Sequence, residues 1–181
     1  MSKTKGNLGY RVALGGLLVA MMLILGYVET LLQGLIPMPV PGIKLGISNG
    51  VLLFALYLMD IRSTVILMVL KVLLSGLLFG NPMTMLFAFC GGALSLIGMI
   101  PLSRVKGLNI VTVSMVGAVL HNVGQIIAAM FVMTEVSPAI LLRYLAILMV
   151  AALITGAATG ILAREVIKRL RRTVETKMKR G

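Results

Sequence analysis

PMPVPGIKLGISNG, which runs from Pro37 to Gly50, interrupts a chain that is otherwise almost continuously apolar. Its three alternating prolines lack backbone donors and hold the chain extended, and Gly42 allows a sharp turn. Lys44 and Asn49 follow at the start of the next apolar run. The stretch therefore predicts a stiff, non-helical loop that brings a cation and an amide to a membrane boundary.

The composition of the whole chain indicates a membrane protein. The 181 residues are 59% hydrophobic and 12% charged, and the mean hydropathy is +1.07. A soluble domain of this size could not bury so much apolar surface. Apolar runs of about 20 residues recur, each long enough to cross a bilayer as a helix. The fold class predicted is all-α, a polytopic bundle of six transmembrane helices that form a single domain over residues 1–181.

The breaks between apolar runs give the predicted helix bounds. We expect helices at 10–36, 45–59, 63–79, 83–102, 109–133 and 139–163, followed by a basic tail at 164–181 that could continue the last helix. The final part of the first helix carries Glu29 and Gln33, and we expect it to leave the bilayer. The N-terminal apolar run is too long for a signal peptide and predicts a retained first helix.

Basic residues cluster at the ends of the predicted helices. Eight of the 17 Lys and Arg residues lie between Arg164 and Arg180. Placing both termini in the cytoplasm puts most of the other basic residues on the same side, as the positive-inside rule requires. The net charge of +12 is then explained by topology and by anionic membrane lipid. We expect a plasma-membrane protein without a nucleic-acid partner.

Polar residues lie near the middle of two of the predicted spans. Lys71 lies near the middle of the third helix, where a lysine costs about 2.5–3.5 kcal/mol and should face a cavity or a partner. A salt bridge with Glu29 is the alternative. His121, Asn122 and Gln125 form one polar stripe on the fifth helix. They could line a ligand site or form interhelical hydrogen bonds.

Two further cations lie at the start of predicted spans, Lys44 just before the second and Arg143 in the first turns of the sixth, and each has a simpler interpretation. Lys44 and Arg143 could be interface anchors, or they could join Lys71 and His121 around an electropositive outer cavity. Such a cavity would suit an anionic small molecule, with neutral donors contributed by amide side chains. The predicted substrate-binding residues are Lys44, Asn49, Lys71, His121, Asn122, Gln125 and Arg143.

Missing motifs limit the possible chemistry. No phosphate-binding loop of the GxxxxGK[ST] type is present. Asp60 is the sole aspartate, so no pair of aspartate-rich motifs could hold magnesium and a diphosphate. With one histidine and one cysteine, a metal site is not expected. We expect no catalytic residues, no metal and no cofactor, and therefore a protein that is not an enzyme.

Small residues recur at four-residue spacing on two helices. The first helix carries Gly16-x-x-x-Ala20, and the sixth carries Ala152, Gly156 and Gly160. This spacing lets helices approach closely. We expect the sixth helix to pack within the bundle, whereas Gly16 and Ala20 could form a surface for a partner subunit.

Three motifs resemble one membrane-protein family. They are PxPGIKLGISN (Pro39–Asn49), KVLLSGLLFG (Lys71–Gly80) and GAVLHNVGQ (Gly117–Gln125). They resemble the heptaprenyl diphosphate synthase component I family, also called the Gx transporter family. That family is similar to the substrate-binding S components of energy-coupling factor (ECF) transporters.

The resemblance implies a six-helix, ECF S-component-like bundle with an outward-facing ligand pocket. It also implies an ECF coupling protein and two ATPases as partners, with Gly16 and Ala20 at the docking surface.

Three functions are compatible with these observations. The first is a transporter subunit that binds an anionic or amphiphilic small molecule from outside, with Pro37 to Gly42 in its lid. The second is a non-catalytic membrane subunit of prenyl diphosphate or quinone metabolism, or of an associated electron-transfer complex, that binds an isoprenoid ligand. The third is a scaffold whose polar residues only hold the bundle together. An enclosed site favours the first, and a lateral, lipid-facing opening favours the second.

Overall fold

The computed structural model describes residues 8–35 and 42–178, with side chains at 8–32 and 42–169. These residues form helices and no strand. The α-helices are α1 (Leu8–Leu35), α2 (Gly50–Leu58), α3 (Ile61–Phe79), α4 (Pro82–Leu102), α5 (Ile110–Val132) and α6 (Pro138–Met178), and a short 3-10 helix, Ile47–Asn49, precedes α2. All of the α-helices except α2 are long and apolar enough to cross a membrane. The predicted all-α, multi-pass class is confirmed.

The segment that leads into α2 runs through the inside of the bundle. Ile43 is 1% exposed, and Gly42 and Gly46 both adopt the left-handed conformation that keeps this segment from being helical. Helical structure therefore starts only at Ile47. From there to Leu58 it extends about 18 Å, well short of a hydrocarbon core of about 30 Å. The second predicted span is thus a half-length helix that follows a buried, irregular segment.

Successive helices run antiparallel, as their close contacts show. Gly98 of α4 approaches the side chain of Leu120 of α5, and Gly91 approaches that of Gln125. The two helices therefore run in opposite directions. In the same way, Gly160 of α6 approaches Val111 of α5. One end of the bundle therefore gathers the start of α1, the turn between α2 and α3, the loop between α4 and α5 and the later part of α6. We call it the basic end, after Arg11, Arg62, Arg104, Lys106, Arg164, Lys168 and Arg169.

Two apolar clusters fill the interior, one toward each end. The cluster nearer the basic end is built around α2, whose residues Val51–Leu53 are at most 3% exposed. The other contains Ile43, Phe87 and Ile126, and joins the buried segment to α4, α5 and α6. Along α5, the buried residues between these clusters are either glycine or polar: Ser114, Gly117, His121, Asn122, Gly124 and Gln125.

A helix cap and an ion pair fix the turn between α2 and α3. Asp60 is the N-cap of α3, and its carboxylate accepts a hydrogen bond from the Ser63 amide at 3.2 Å. Arg11 of α1 forms an ion pair with the same carboxylate and also donates to the Ser63 hydroxyl at 3.0 Å. The turn is thereby tied to the start of α1.

Glycine allows α4 and α5 to touch backbone to backbone. A Cβ added at Gly124 would lie 2.6 Å from the Cys90 carbonyl oxygen and 2.9 Å from the Gly91 Cα. No side chain could move to relieve these contacts. On α1, in contrast, a Cβ at Gly16 would meet nothing within 4 Å.

The last helix is longer than the predicted span at 139–163. It continues to Met178, 41 residues in all, as the possible continuation through the basic tail had suggested. No proline or glycine follows Gly160 before the end of α6, and the Arg, Glu, Lys and Leu residues there favour helix.

Gly124→Ala should destabilise the protein, whereas Gly16→Ala should be neutral or slightly stabilising. The first change forces two backbones apart, which typically costs about 1–3 kcal/mol. The second replaces a helical glycine with a better helix former, a gain of about 0.5–1 kcal/mol. Thermal unfolding of both variants in lipid nanodiscs measures the difference. Equal melting temperatures would contradict the close α4–α5 contact.

Asp60→Asn should lower stability at neutral pH but not in acid. Burial alone raises the pKa of the Asp60 carboxyl, but hydrogen bonds from Ser63 and the charge of Arg11 outweigh this and hold the pKa below its usual value of 3.8. The carboxylate therefore stabilises the fold above about pH 4, and this contribution disappears as the pH falls through the lowered pKa. Thermal unfolding of wild type and variant should differ at pH 7 and converge as the pH falls through the lowered pKa of Asp60. A constant difference would argue against the ion pair.

Candidate functional site

Buried polar side chains collect between the two apolar clusters, where α1, α3, α4 and α5 face the segment before α2. Each of them is at most 7% exposed, apart from the half-buried Lys44. Such residues are rare inside a membrane bundle and typically mark a ligand site or a relay. We call this group the polar cluster; it consists of Glu29, Lys44, Ser48, Asn49, Lys71, Ser75, Ser95, His121, Asn122 and Gln125.

Gln125 anchors the irregular segment to α5. Its Oε1 accepts a hydrogen bond from the Lys44 amide at 2.8 Å, and its Nε2 donates to the Lys44 carbonyl at 2.9 Å. The Gln125 side-chain amide thus satisfies both backbone groups of Lys44, as a neighbouring β-strand would. Backbone without helix is tolerated at membrane depth only when its polar groups are satisfied inside the protein. Gln125, which is 1% exposed, meets that requirement.

Glu29 anchors the other end of the segment, from α1. Its carboxylate accepts hydrogen bonds from the Ile47 amide at 2.7 Å, the Ser48 amide at 3.4 Å and the Ser48 hydroxyl at 2.9 Å. These amides begin the helical stretch that leads into α2, where unpaired N–H groups favour a negative charge. Glu29 is 1% exposed, so this part of α1 packs against the interior of the bundle.

Lys71 is buried without a hydrogen-bonding partner. It is 6% exposed, and within the described residues no hydrogen bond or ion pair shorter than 4 Å involves its ammonium group. It interacts electrostatically with Glu29 and Lys44, but it does not form the salt bridge that the sequence left open as an alternative. An ammonium group carries three donors that normally require acceptors.

Lys44 turns its ammonium group toward α3. The Nζ lies 5.2 Å from the centre of the Phe79 ring, within the range of a cation–π contact. The Glu29 carboxylate also attracts it. Two lysines and one glutamate therefore share the same part of the interior.

His121 fits between two glycines on different elements. A Cβ at Gly46 would lie 2.9 Å from the His121 Cδ2, and one at Gly91 would lie 2.8 Å from its Nδ1. The ring therefore fills the space between the irregular segment and α4. The Nδ1 is buried and has no hydrogen-bond partner among the described residues. His121 also faces the charge of Lys71.

The two asparagines mainly connect elements. Asn122 donates from Nδ2 to the Leu148 carbonyl of α6 at 2.9 Å and accepts a hydrogen bond from Gln125 at 3.3 Å. Asn49 donates to the Ser95 hydroxyl of α4 at 2.8 Å, and its own Oδ1 has no partner in the described part of the chain. These bonds match the alternative that part of the polar stripe holds the bundle together.

A small cavity adjoins Asn49 on the side of α5 and α6. Ser114, Thr155 and Thr159 contribute hydroxyl groups to its wall, and the unpaired Asn49 belongs to the lining as well. The space suits about one water molecule, far below the several hundred Å³ of a typical small-molecule pocket. This cavity suits a bound water rather than the ligand.

The remaining predicted residues lie outside the polar cluster. Arg143 is an exposed side chain on α6. Gly16 and Ala20 are both exposed on α1, away from the interior. Of the predicted lid, Gly42 packs beside Thr84 and Phe87, whereas Pro37 to Pro41 lie outside the described residues.

Four members of the polar cluster were absent from the predicted site: Glu29, Ser48, Ser75 and Ser95. Glu29 carried a usable signal, because it is an acidic residue near the end of the apolar run that comes before the proline-rich break. The three serines gave no such signal, since serine is common in membrane helices. Among the described residues, no group of three or more His, Cys, Asp or Glu could hold a metal ion.

Gln125→Leu should destabilise the protein more than a comparable change at another buried polar residue. The variant keeps the volume but leaves the Lys44 amide and carbonyl unpaired, at about 1–3 kcal/mol for each. Ser75→Ala is a suitable control, because the Ser75 hydroxyl bonds only to the Val72 carbonyl on its own helix. Thermal unfolding in nanodiscs compares the two. A Gln125→Leu variant as stable as Ser75→Ala would show that the segment does not depend on this anchor.

Comparison with known proteins identifies the family of this chain but no individual relative. Neither a curated protein nor a solved structure matches the chain. The family model for heptaprenyl diphosphate synthase component I matches residues 18–166, a region that contains the whole polar cluster. The motifs around the irregular segment, Lys71 and His121 had indicated the same family. The chain belongs to the heptaprenyl diphosphate synthase component I family.

Proposed function

We propose that this protein is a membrane-embedded binding subunit for a small anionic or amphiphilic molecule, and that the polar cluster is its site. The observation that carries the proposal is Lys71, a residue that is 6% exposed and whose ammonium has no acceptor within the described residues. A charge in this position is costly when it is left unpaired. A ligand anion would supply the missing acceptor.

The charge balance of the site supports an anion over a cation. Lys44 and Lys71 contribute two positive charges, and Glu29 contributes one negative charge. The two amides that face Glu29 add further positive potential. The His121 Nδ1, which has no hydrogen-bond partner among the described residues, is a further polar atom with which a ligand could pair.

In this proposal the protein binds its ligand from outside and hands it on to partner subunits. The expected partners are a coupling protein and ATPases, with the exposed Gly16 and Ala20 of α1 as the docking surface. The concentration of basic residues at one end of the bundle favours that end, with both termini, in the cytoplasm of a plasma-membrane protein.

A second candidate function follows from the family's description as a heptaprenyl diphosphate synthase component. A non-catalytic membrane subunit could hold an isoprenoid chain between helices and its diphosphate near Lys44 and Lys71. The head group has the same chemistry in both proposals, namely a compact anion. They differ in the rest of the ligand, which is water-soluble in the first and an apolar chain in the second.

Lys71→Met should abolish anion binding without lowering thermal stability. Methionine keeps the side-chain volume and removes an unpaired buried charge that costs about 2.5–3.5 kcal/mol in a membrane helix. Native mass spectrometry of protein extracted gently from its own membrane measures the retained ligand. The exposed Lys106 provides a control, since Lys106→Met removes the same charge from the surface.

Each outcome of this experiment distinguishes between the proposals. A water-soluble anion that is retained by wild type and Lys106→Met, but lost from Lys71→Met, supports the binding subunit. An isoprenoid or quinone with the same pattern supports the second function. A ligand retained equally by all three proteins, or a Lys71→Met variant that fails to fold, would refute the assignment of Lys71 to the site.

A further inference from the structure

The Glu29 carboxylate occupies the position that best suits an anionic group. Three donors converge on it: the Ile47 amide, the Ser48 amide and the Ser48 hydroxyl. Lys44 and Lys71 provide positive charge from two other elements. This combination of backbone amides, a hydroxyl and lysines is how proteins commonly bind carboxylate and phosphate groups.

We propose that Glu29 is an internal competitor, which holds the anion site when no ligand is bound and is displaced by the anionic group of the ligand. This inference rests on the proposed function, since it requires that the polar cluster binds an anion. It goes further by assigning the donors of the anionic group to residues 47–48 and by giving Glu29 a role opposite to that of a ligand-binding residue.

Lys71 supports displacement over simple addition of a ligand beside Glu29. Lys71 is a buried residue that interacts electrostatically with Glu29 and Lys44, but its ammonium bonds to neither. One carboxylate therefore engages the amides and leaves this cation unsatisfied. A group with three or more oxygens, such as a phosphate or diphosphate, could accept from the amides and from Lys71 together. The favoured ligand class is thus a phosphorylated or multiply carboxylated compound.

Displacement would also release α1 from the rest of the site. Glu29 is the one described side chain of α1 that bonds to the segment before α2. When a ligand replaces it, this tie is lost while residues 47–48 keep their acceptor. Ligand binding would then change the position of α1, the helix whose exposed face carries Gly16 and Ala20.

The test measures binding of inorganic pyrophosphate by calorimetry to full-length protein in nanodiscs made of neutral lipid. Three variants are compared with wild type. Glu29→Gln removes the charge, and Glu29→Asp keeps the charge on a side chain too short to reach the same donors. Glu135→Gln removes an exposed carboxylate as a control. A competitor that fills the site nine-tenths of the time weakens apparent affinity about tenfold.

We expect Kd to fall about tenfold in both Glu29→Gln and Glu29→Asp, and to stay unchanged in Glu135→Gln. Tightening in Glu29→Gln alone would reflect charge and not displacement, and would overturn the inference. Unchanged or weaker binding in both Glu29 variants would overturn it as well, since Glu29 would then assist the ligand or play no part.

A measurement on folded wild type covers the case of a Glu29 variant that fails to fold. Infrared difference spectra should show a shift in a carboxylate stretching band on addition of pyrophosphate, because Glu29 loses its hydrogen bonds. No carboxylate shift at saturating pyrophosphate would overturn the inference.

Lys71→Met separates failure of this inference from failure of the proposed function. If Lys71→Met loses pyrophosphate binding and the Glu29 variants do not tighten it, only the displacement is wrong. If Lys71→Met binds pyrophosphate as wild type does, or if no variant binds it, the proposed function fails together with the inference.

Discussion

The fold depends on satisfying a short piece of irregular backbone deep inside a membrane bundle. Residues 42–46 do not form a helix, because Gly42 and Gly46 both adopt the left-handed conformation. In hydrocarbon, each of their unpaired polar groups would cost several kcal/mol. Gln125 satisfies Lys44 from α5, and Glu29 satisfies the start of the next helix from α1. These two side chains tie α5 and α1 to the irregular segment.

The same arrangement explains why the interior holds charge. Glu29 is needed as an acceptor at residues 47–48, and a buried carboxylate requires positive charge nearby. One lysine would have been sufficient for that purpose, yet two are present. The second lysine, Lys71, has no acceptor among the described residues, and an unpaired charge inside a membrane protein is destabilising. Residues that lower stability without a structural benefit are typical of functional sites.

The sequence predicted the fold class and most of the polar cluster, because both depend on simple physical rules. Long apolar runs can only be membrane helices, and a polar residue within such a run must face inward. Lys71, His121, Asn122 and Gln125 were found in this way, and all are buried. Arg143 was included because it lies near a helix end, where an exposed arginine is equally stable.

The path of residues 42–46 was not predictable by these rules. Proline and glycine indicate a loop, and loops normally lie on the surface. What draws this segment inside is a set of tertiary partners: Gln125, Glu29 and the space beside Gly91 that His121 fills. Glu29 was left out of the predicted site for the same reason. It lies late in a helix, and it is buried because residues 47–48 pack against it.

The length of α6 has a mechanical consequence. At 1.5 Å per residue its 41 residues extend about 62 Å, twice the thickness of the hydrocarbon core. A hydrocarbon core crossed along its normal has room for only about half of this helix. A tilt of about 10° around the membrane midplane, well within the range seen for membrane helices, would swing its far end by several ångströms. Asn122 bonds directly to the backbone of α6. A rearrangement of the polar cluster could therefore move α6 and, through this rigid helix, the end of α6 at the aqueous surface.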